Sequence, residues 1–195
     1  MPITTFENYR GFAVDKLFNW REEAGLASKL LACLLFAVLM ALAAQLRLYL
    51  PFTPVPFTGQ VLIVLLVGFV LGRFGTLSVG MYLGMGASFG WFSGQVGLAA
   101  LSGVTAGYLV GFVISAAMIG EMTHRNGSWN FSKIILVMSA GAAIILLSGS
   151  LWLSLLLHLD LAQALLLGAL PFLVGDAIKV LAAASTAYLI TPNRS

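Results

Sequence analysis

Residues 50–60 read LPFTPVPFTGQ, and the fold turns on how this stretch is taken. It holds three of the chain's six prolines, Pro51, Pro54 and Pro56, with Thr53, Thr58 and Gln60 beside them. Each proline removes a backbone donor and pushes the residue before it out of the helical region, so this segment cannot be helix. Yet it separates two strongly apolar runs, Leu30–Leu50 and Val61–Leu71. A stiff, polar-flanked loop at the end of a membrane helix needs a protein-lined or watery place, because lipid cannot satisfy its backbone. It therefore either caps a cavity or is an ordinary connection between spans, and the segment alone leaves both open.

The composition decides the class. Of 195 residues, 60% are hydrophobic and 9% charged, and the mean hydropathy is +1.00. Soluble domains carry about 25% charged residues, so the chain is expected to be an all-α integral membrane protein. Its length accommodates six transmembrane helices of roughly 20 residues each. The net charge of +3 comes from positive residues scattered at span ends, with no aromatic-interleaved basic patch, so nucleic acid is not an expected partner. Cys33 is the one cysteine, which excludes an internal disulfide and a cysteine-based metal cluster.

The spans are expected near Lys29–Tyr49, Phe57–Gly72, Gly75–Phe92, Gly103–Gly120, Lys133–Leu157 and Pro171–Ile190, with Leu161–Gly168 as a short re-entrant or interfacial helix. The second span reads short. Residues 1–28 form a cytoplasmic amino-terminal segment, too charged for a cleavable signal, in which Phe12–Leu26 has the spacing of a helix lying on the membrane. Residues 29–192 form the membrane domain. Arg10, Lys16, Arg21, Lys29, Arg73, Arg125, Lys133 and Arg194 gather on one side, against Arg47 on the other. The positive-inside rule then makes both termini cytoplasmic and turns the proline loop outward.

Two charges stand inside this apolar setting. In PFLVGDAIK, Pro171–Lys179, Asp176 and Lys179 are three apart and share a helix face. A charge near the bilayer centre costs about 2.5–3.5 kcal/mol even on the mildest scale. The pair therefore either snorkels at a helix end or faces a cavity, and the second reading fits its position in the outward half of the last span. Thr58, Gln60, Tyr82, Gln95, Thr105 and Tyr108 are the other polar candidates for such a cavity, and Trp91 and Phe92 are candidates to stack on an apolar ring. Gly80/Gly84 and Gly107/Gly111 have the four-residue spacing of close helix packing, as do Ala37 and Ala41 in the first span.

Catalysis finds little support. His124 and His158 fall on opposite sides of the membrane in this topology, so they make no joint metal site, and no metal or cofactor is expected. Asp176 is the one acid at depth, and no phosphate-cradling glycine loop is present. A small membrane enzyme is thus the weaker alternative to a binding protein.

Together these pieces resemble one family, the biotin-specific substrate-binding (S) components of energy-coupling factor (ECF) transporters, the BioY family. The landmarks are PFTPVPFTGQ after the first span, the G-x-T-x-G-Y stretch Gly103–Tyr108, and PFLVGDAIK opening the last span. The resemblance covers roughly Lys29 to Ile190. It implies a six-helix protein of the plasma (cytoplasmic or inner) membrane that binds biotin from outside. Its implied partners are a transmembrane coupling protein and two ABC-type ATPases, or it works alone as an oligomer. It further implies Asp176 and Lys179 as ligand contacts, and Ala37 and Ala41 as the coupling protein's docking face. The chain departs from the family in reading Gly-Val-Thr-Ala-Gly-Tyr at 103–108, in Ala87–Phe92 lacking the usual proline, and in having no Arg, Lys or Asn across Phe74–Met122. Biotin is the expected ligand, with another small ring-bearing vitamin as the alternative.

Overall fold

The computed structural model describes residues 23–92, 99, 101–125 and 129–191. The amino-terminal helix expected over Phe12–Leu26 and the candidate Gln95 lie essentially outside those residues. Helix α1 runs Leu26–Gln45, α2 Gln60–Leu71, α3 Phe74–Phe89, α4 Ala106–Arg125, α5 Phe131–Leu157, α6 Leu161–Gly168 and α7 Leu173–Leu189, with a 3-10 turn at Leu170–Phe172. The described chain is thus almost entirely helical, with one small hairpin.

Helix α1 is apolar all round, and side-chain size sorts its faces. Cys33, Ala37, Met40, Ala41 and Ala44 are buried, while Leu31, Leu34, Leu35, Val38 and Leu42 are exposed. The crossing with α3 is fixed by polar contacts: Ser78 Oγ donates to the Cys33 carbonyl at 2.7 Å, and Cys33 Sγ donates to the Phe74 carbonyl at 3.3 Å. Ala37 and Ala41 therefore point into the protein's own bundle, and the exposed side of α1 is leucine. The alanine pair expected as a docking face is not accessible while α1 packs this way.

Helix α1 ends four residues before the expected Tyr49. Arg47–Leu48 (β1) instead pairs antiparallel with Phe57–Thr58 (β2), Arg47 opposite Thr58 and Leu48 opposite Phe57. The prolines explain the difference. Pro51, Pro54 and Pro56 disfavour helix at Leu50, Thr53 and Val55, and the second helix begins beyond them, at Gln60. The proline stretch becomes the loop of a hairpin. Thr53 ties that loop down, donating through Oγ1 to the Leu167 carbonyl at 2.7 Å and accepting from the Val55 N–H at 3.2 Å.

Helix α2 is the centre of the bundle, packed by α1, α3, α4, α5 and α7. Its 12 residues span about 18 Å, short of a hydrocarbon core of about 30 Å. Burial among neighbours removes the need to span lipid alone. Gly72, at φ 58°, makes the turn into α3, and the Gly120 Cα is so close to the Gly72 carbonyl that no side chain fits there. Arg73 closes the same end with a two-pronged pair to Glu121, at 2.7 and 3.1 Å.

The largest interface joins α4 to α5. A Cβ on Gly107 would overlap Trp152, and one on Gly111 would come within 2.8 Å of the Ile145 Cα, so both glycines permit the close crossing that their spacing implies. Gly80 and Gly84 do not follow suit. Among the described residues nothing lies within 4 Å of either position, and both are exposed on α3.

Past α5 the chain turns at His158, φ 54°, and α6 opens with a capping box between Asp160 and Gln163. Pro171 interrupts the path into α7. Four helical stretches among the described residues are long and apolar enough to cross a bilayer: Leu26–Gln45, Ala106–His124, Phe131–Leu157 and Leu161–Leu189. The protein is a multi-pass membrane protein.

Candidate ligand-binding site

The hairpin loop, the end of α3, the start of α4 and the 3-10 turn into α7 meet at one end of the bundle and enclose a hollow. About 580 Å³ is free of protein atoms there when the open mouth is counted, and the centres of water-sized spheres reach about 50 Å³ of it.

Asp176 and Lys179 both line this hollow. They lie on the first two turns of α7, and are 4% and 9% exposed, so neither side chain turns to the headgroups. Lys179 Nζ donates to Asp176 Oδ1 at 2.8 Å. Helical spacing of three brings the groups together, and the buried setting makes a charge-assisted bond of this kind stronger than one in water.

A second polar set faces them from α2 and α3. Thr58 Oγ1 donates to Gln60 Oε1 at 3.2 Å, and Gln60 Nε2 donates to the Tyr82 hydroxyl at 2.7 Å. With its oxygen accepting, the Tyr82 hydroxyl keeps its own proton to donate. All three side chains line the hollow, Gln60 at the first position of α2 and Tyr82 fully buried. Phe92 meets Tyr82 edge-on at 5.5 Å between centroids and lines the hollow too, whereas Trp91 does not reach it.

Tyr108 and Thr105 are also wall residues. The Tyr108 hydroxyl, however, donates to the Gly168 carbonyl at 2.6 Å, so this residue offers its ring to the hollow and its polar end to α6. Phe172 stands edge-on to that ring, at 6.4 Å. The remaining wall is apolar and was not foreseen: Val55, Val61, Leu109, Phe112, Ile145 and Leu146. An apolar residue inside an apolar helix carries no signal of its own. The arrangement suits binding. Two polar clusters face one largely apolar hollow, which is the usual make-up of a small-molecule site.

The model of the BioY family matches residues 15–194 of this chain. The chain is 37% identical over 155 residues to the biotin transporter BioY of Thermotoga maritima, covering 77% of this chain and 88% of the relative. It is 35% identical over 161 residues to the probable biotin transporter BioY of Pyrococcus horikoshii, covering 80% and 89%. In fold it resembles the crystal structure of the S-component for biotin from an ECF-type ABC transporter, with a TM-score of 0.76 at 23% identity, over 83% of this chain and 89% of that one. With the family model spanning nearly all of the sequence, and relatives above 30% identity along most of it, the chain belongs to the BioY family.

Proposed function

We propose that this protein is a biotin-capture subunit, an S component that takes biotin from the outer side of the plasma membrane for uptake. The observation that carries the proposal is the buried Asp176–Lys179 pair in the wall of an otherwise apolar hollow, 2.8 Å apart and closed over by the proline loop. The names borne by its relatives agree with this ligand. Biotin has a polar ureido ring at one end and a carboxylate at the other, joined by an apolar body. The Asp176–Lys179 pair, 2.8 Å apart, suits one polar end of the ligand, and the Gln60–Tyr82 chain suits the other. Phe92, Tyr108, Phe112 and Phe172 pack the apolar part. Affinity then comes from burying most of the ligand and from charge-assisted bonds in a dry site.

In this reading residues 29–192 are the transport unit, crossing the membrane six times with both termini cytoplasmic. The hollow lies at the end opposite Arg73 and Lys133, hence outward by the positive-inside rule. The sequence carries no phosphate-binding loop, so energy for release comes from partner subunits, a coupling protein with two ABC-type ATPases, or else the chain acts alone as an oligomer. Isothermal titration of the purified protein with biotin and desthiobiotin tests the proposal. Saturable heat at micromolar ligand or below supports it, and no heat at micromolar biotin contradicts it.

A further inference from the structure

A lysine side chain has the length to leave a pocket. Its apolar stem lets the ammonium snorkel to water wherever a route is open. Lys179 sits only about 9 Å along α7 from that helix's first residue, close to the loop end of the bundle. Its ammonium nevertheless stays inside, held by Asp176 and lying 3.7 Å from the centroid of the Phe57 ring. Phe57 is half-buried and does not line the hollow, so it covers Lys179 from outside the cavity.

Three independent contacts fix that ring. Phe57 is held on β2 opposite Leu48. Its ring lies parallel to Phe172, 4° between planes and 6.3 Å between centroids. It also rests on α7 directly over Gly175, where a Cβ would overlap the ring. A side chain at 175 therefore requires the Phe57 ring to shift from its present place.

We propose that Phe57 is a positioning residue: its π face caps Lys179 and, with Asp176, keeps the ammonium aimed into the hollow instead of out to the membrane surface. The cap stands on geometry alone, and its effect on affinity rests on the ligand reading given above.

The test uses the full-length protein in lipid nanodiscs and three variants. Phe57→Leu keeps apolar bulk without a ring, Phe57→Tyr keeps the ring, and Gly175→Ala displaces it without touching Phe57. Thermal unfolding confirms that each is folded. One readout is acylation of Lys179 by a water-soluble succinimidyl acetate, followed by peptide mass spectrometry with exposed Lys133 as the internal reference. The other is biotin affinity. A desolvated cation on an aromatic face translates into about 5- to 30-fold, so Phe57→Leu and Gly175→Ala should speed Lys179 acylation and weaken biotin binding by about that much, while Phe57→Tyr stays within about twofold of wild type. Unchanged Lys179 acylation in both Phe57→Leu and Gly175→Ala overturns the proposal, as does wild-type biotin affinity in Phe57→Leu. The predicted acylation pattern in a protein that binds no biotin supports the cap and removes the ligand reading instead.

Discussion

Replacing Lys179 by methionine separates what the ammonium does for the fold from what it does for the ligand. The substitution keeps the length of the stem and deletes the donor that sits 2.8 Å from Asp176 Oδ1. Asp176, 4% exposed, is left without its cation among Val61, Phe172 and the other apolar walls. Removing one member of a buried pair costs about 3–5 kcal/mol, whereas replacing both by neutral groups of similar size is often close to neutral. Lys179→Met should therefore lower the thermal unfolding midpoint by several degrees, and Asp176→Asn/Lys179→Met should recover most of the loss. Ligand affinity behaves differently. A hydrogen bond to a charged group contributes about 1.5–3 kcal/mol, so both the single and the double variant should bind biotin about 10- to 150-fold more weakly. Differential scanning fluorimetry in detergent and calorimetric titration measure the two quantities on the same samples. A double variant that binds biotin with wild-type affinity refutes the reasoning, and so does a Lys179→Met protein that unfolds with the wild type, since the pair would then be solvated.

Other consequences are smaller. Thr53→Val removes the hydroxyl that anchors the proline loop to the Leu167 carbonyl; at about 0.5–1.5 kcal/mol for one net hydrogen bond, biotin release followed by stopped flow should quicken about 2- to 12-fold. Gly107→Val drives a side chain into Trp152 and should destabilise by about 1–3 kcal/mol, whereas Gly84→Ala meets nothing within 4 Å among the described residues and should leave the unfolding midpoint unchanged or raised. In a Cys33→Ala background on intact cells, an impermeant maleimide should label Phe52→Cys directly and Ser132→Cys only after permeabilisation; the reverse pattern rules out the proposed orientation.

Much of this was legible from residues that clash with their surroundings. Asp176 and Lys179 declared themselves because charge is costly in an apolar helix, and the prolines because they forbid one. The helix bodies followed from the apolar runs, and Leu161–Gly168 is the short helix its sequence implies. The hairpin was not legible. Arg47 and Leu48 continue a helical pattern, Phe57 and Thr58 open an apolar run, and a ladder of two residues on each side leaves too little period to read. Glycine spacing was equally ambiguous, since Gly107/Gly111 and Gly80/Gly84 look alike until, among the described residues, a neighbouring helix is present for one pair and absent for the other. The same holds for Ala37 and Ala41, small on either reading, which pack inward against the bundle. Phe112, Ile145 and Leu146 were hidden by their context: a wall residue and a lipid-facing one have the same chemistry in a membrane.

The most direct measurement is a structure of the protein determined with biotin bound. The ligand is expected beneath the proline loop, one polar end within hydrogen-bonding distance of Lys179 or Asp176 and its apolar body against Phe172 and Phe112. Biotin seated anywhere else, with Asp176 and Lys179 touching only each other, contradicts it.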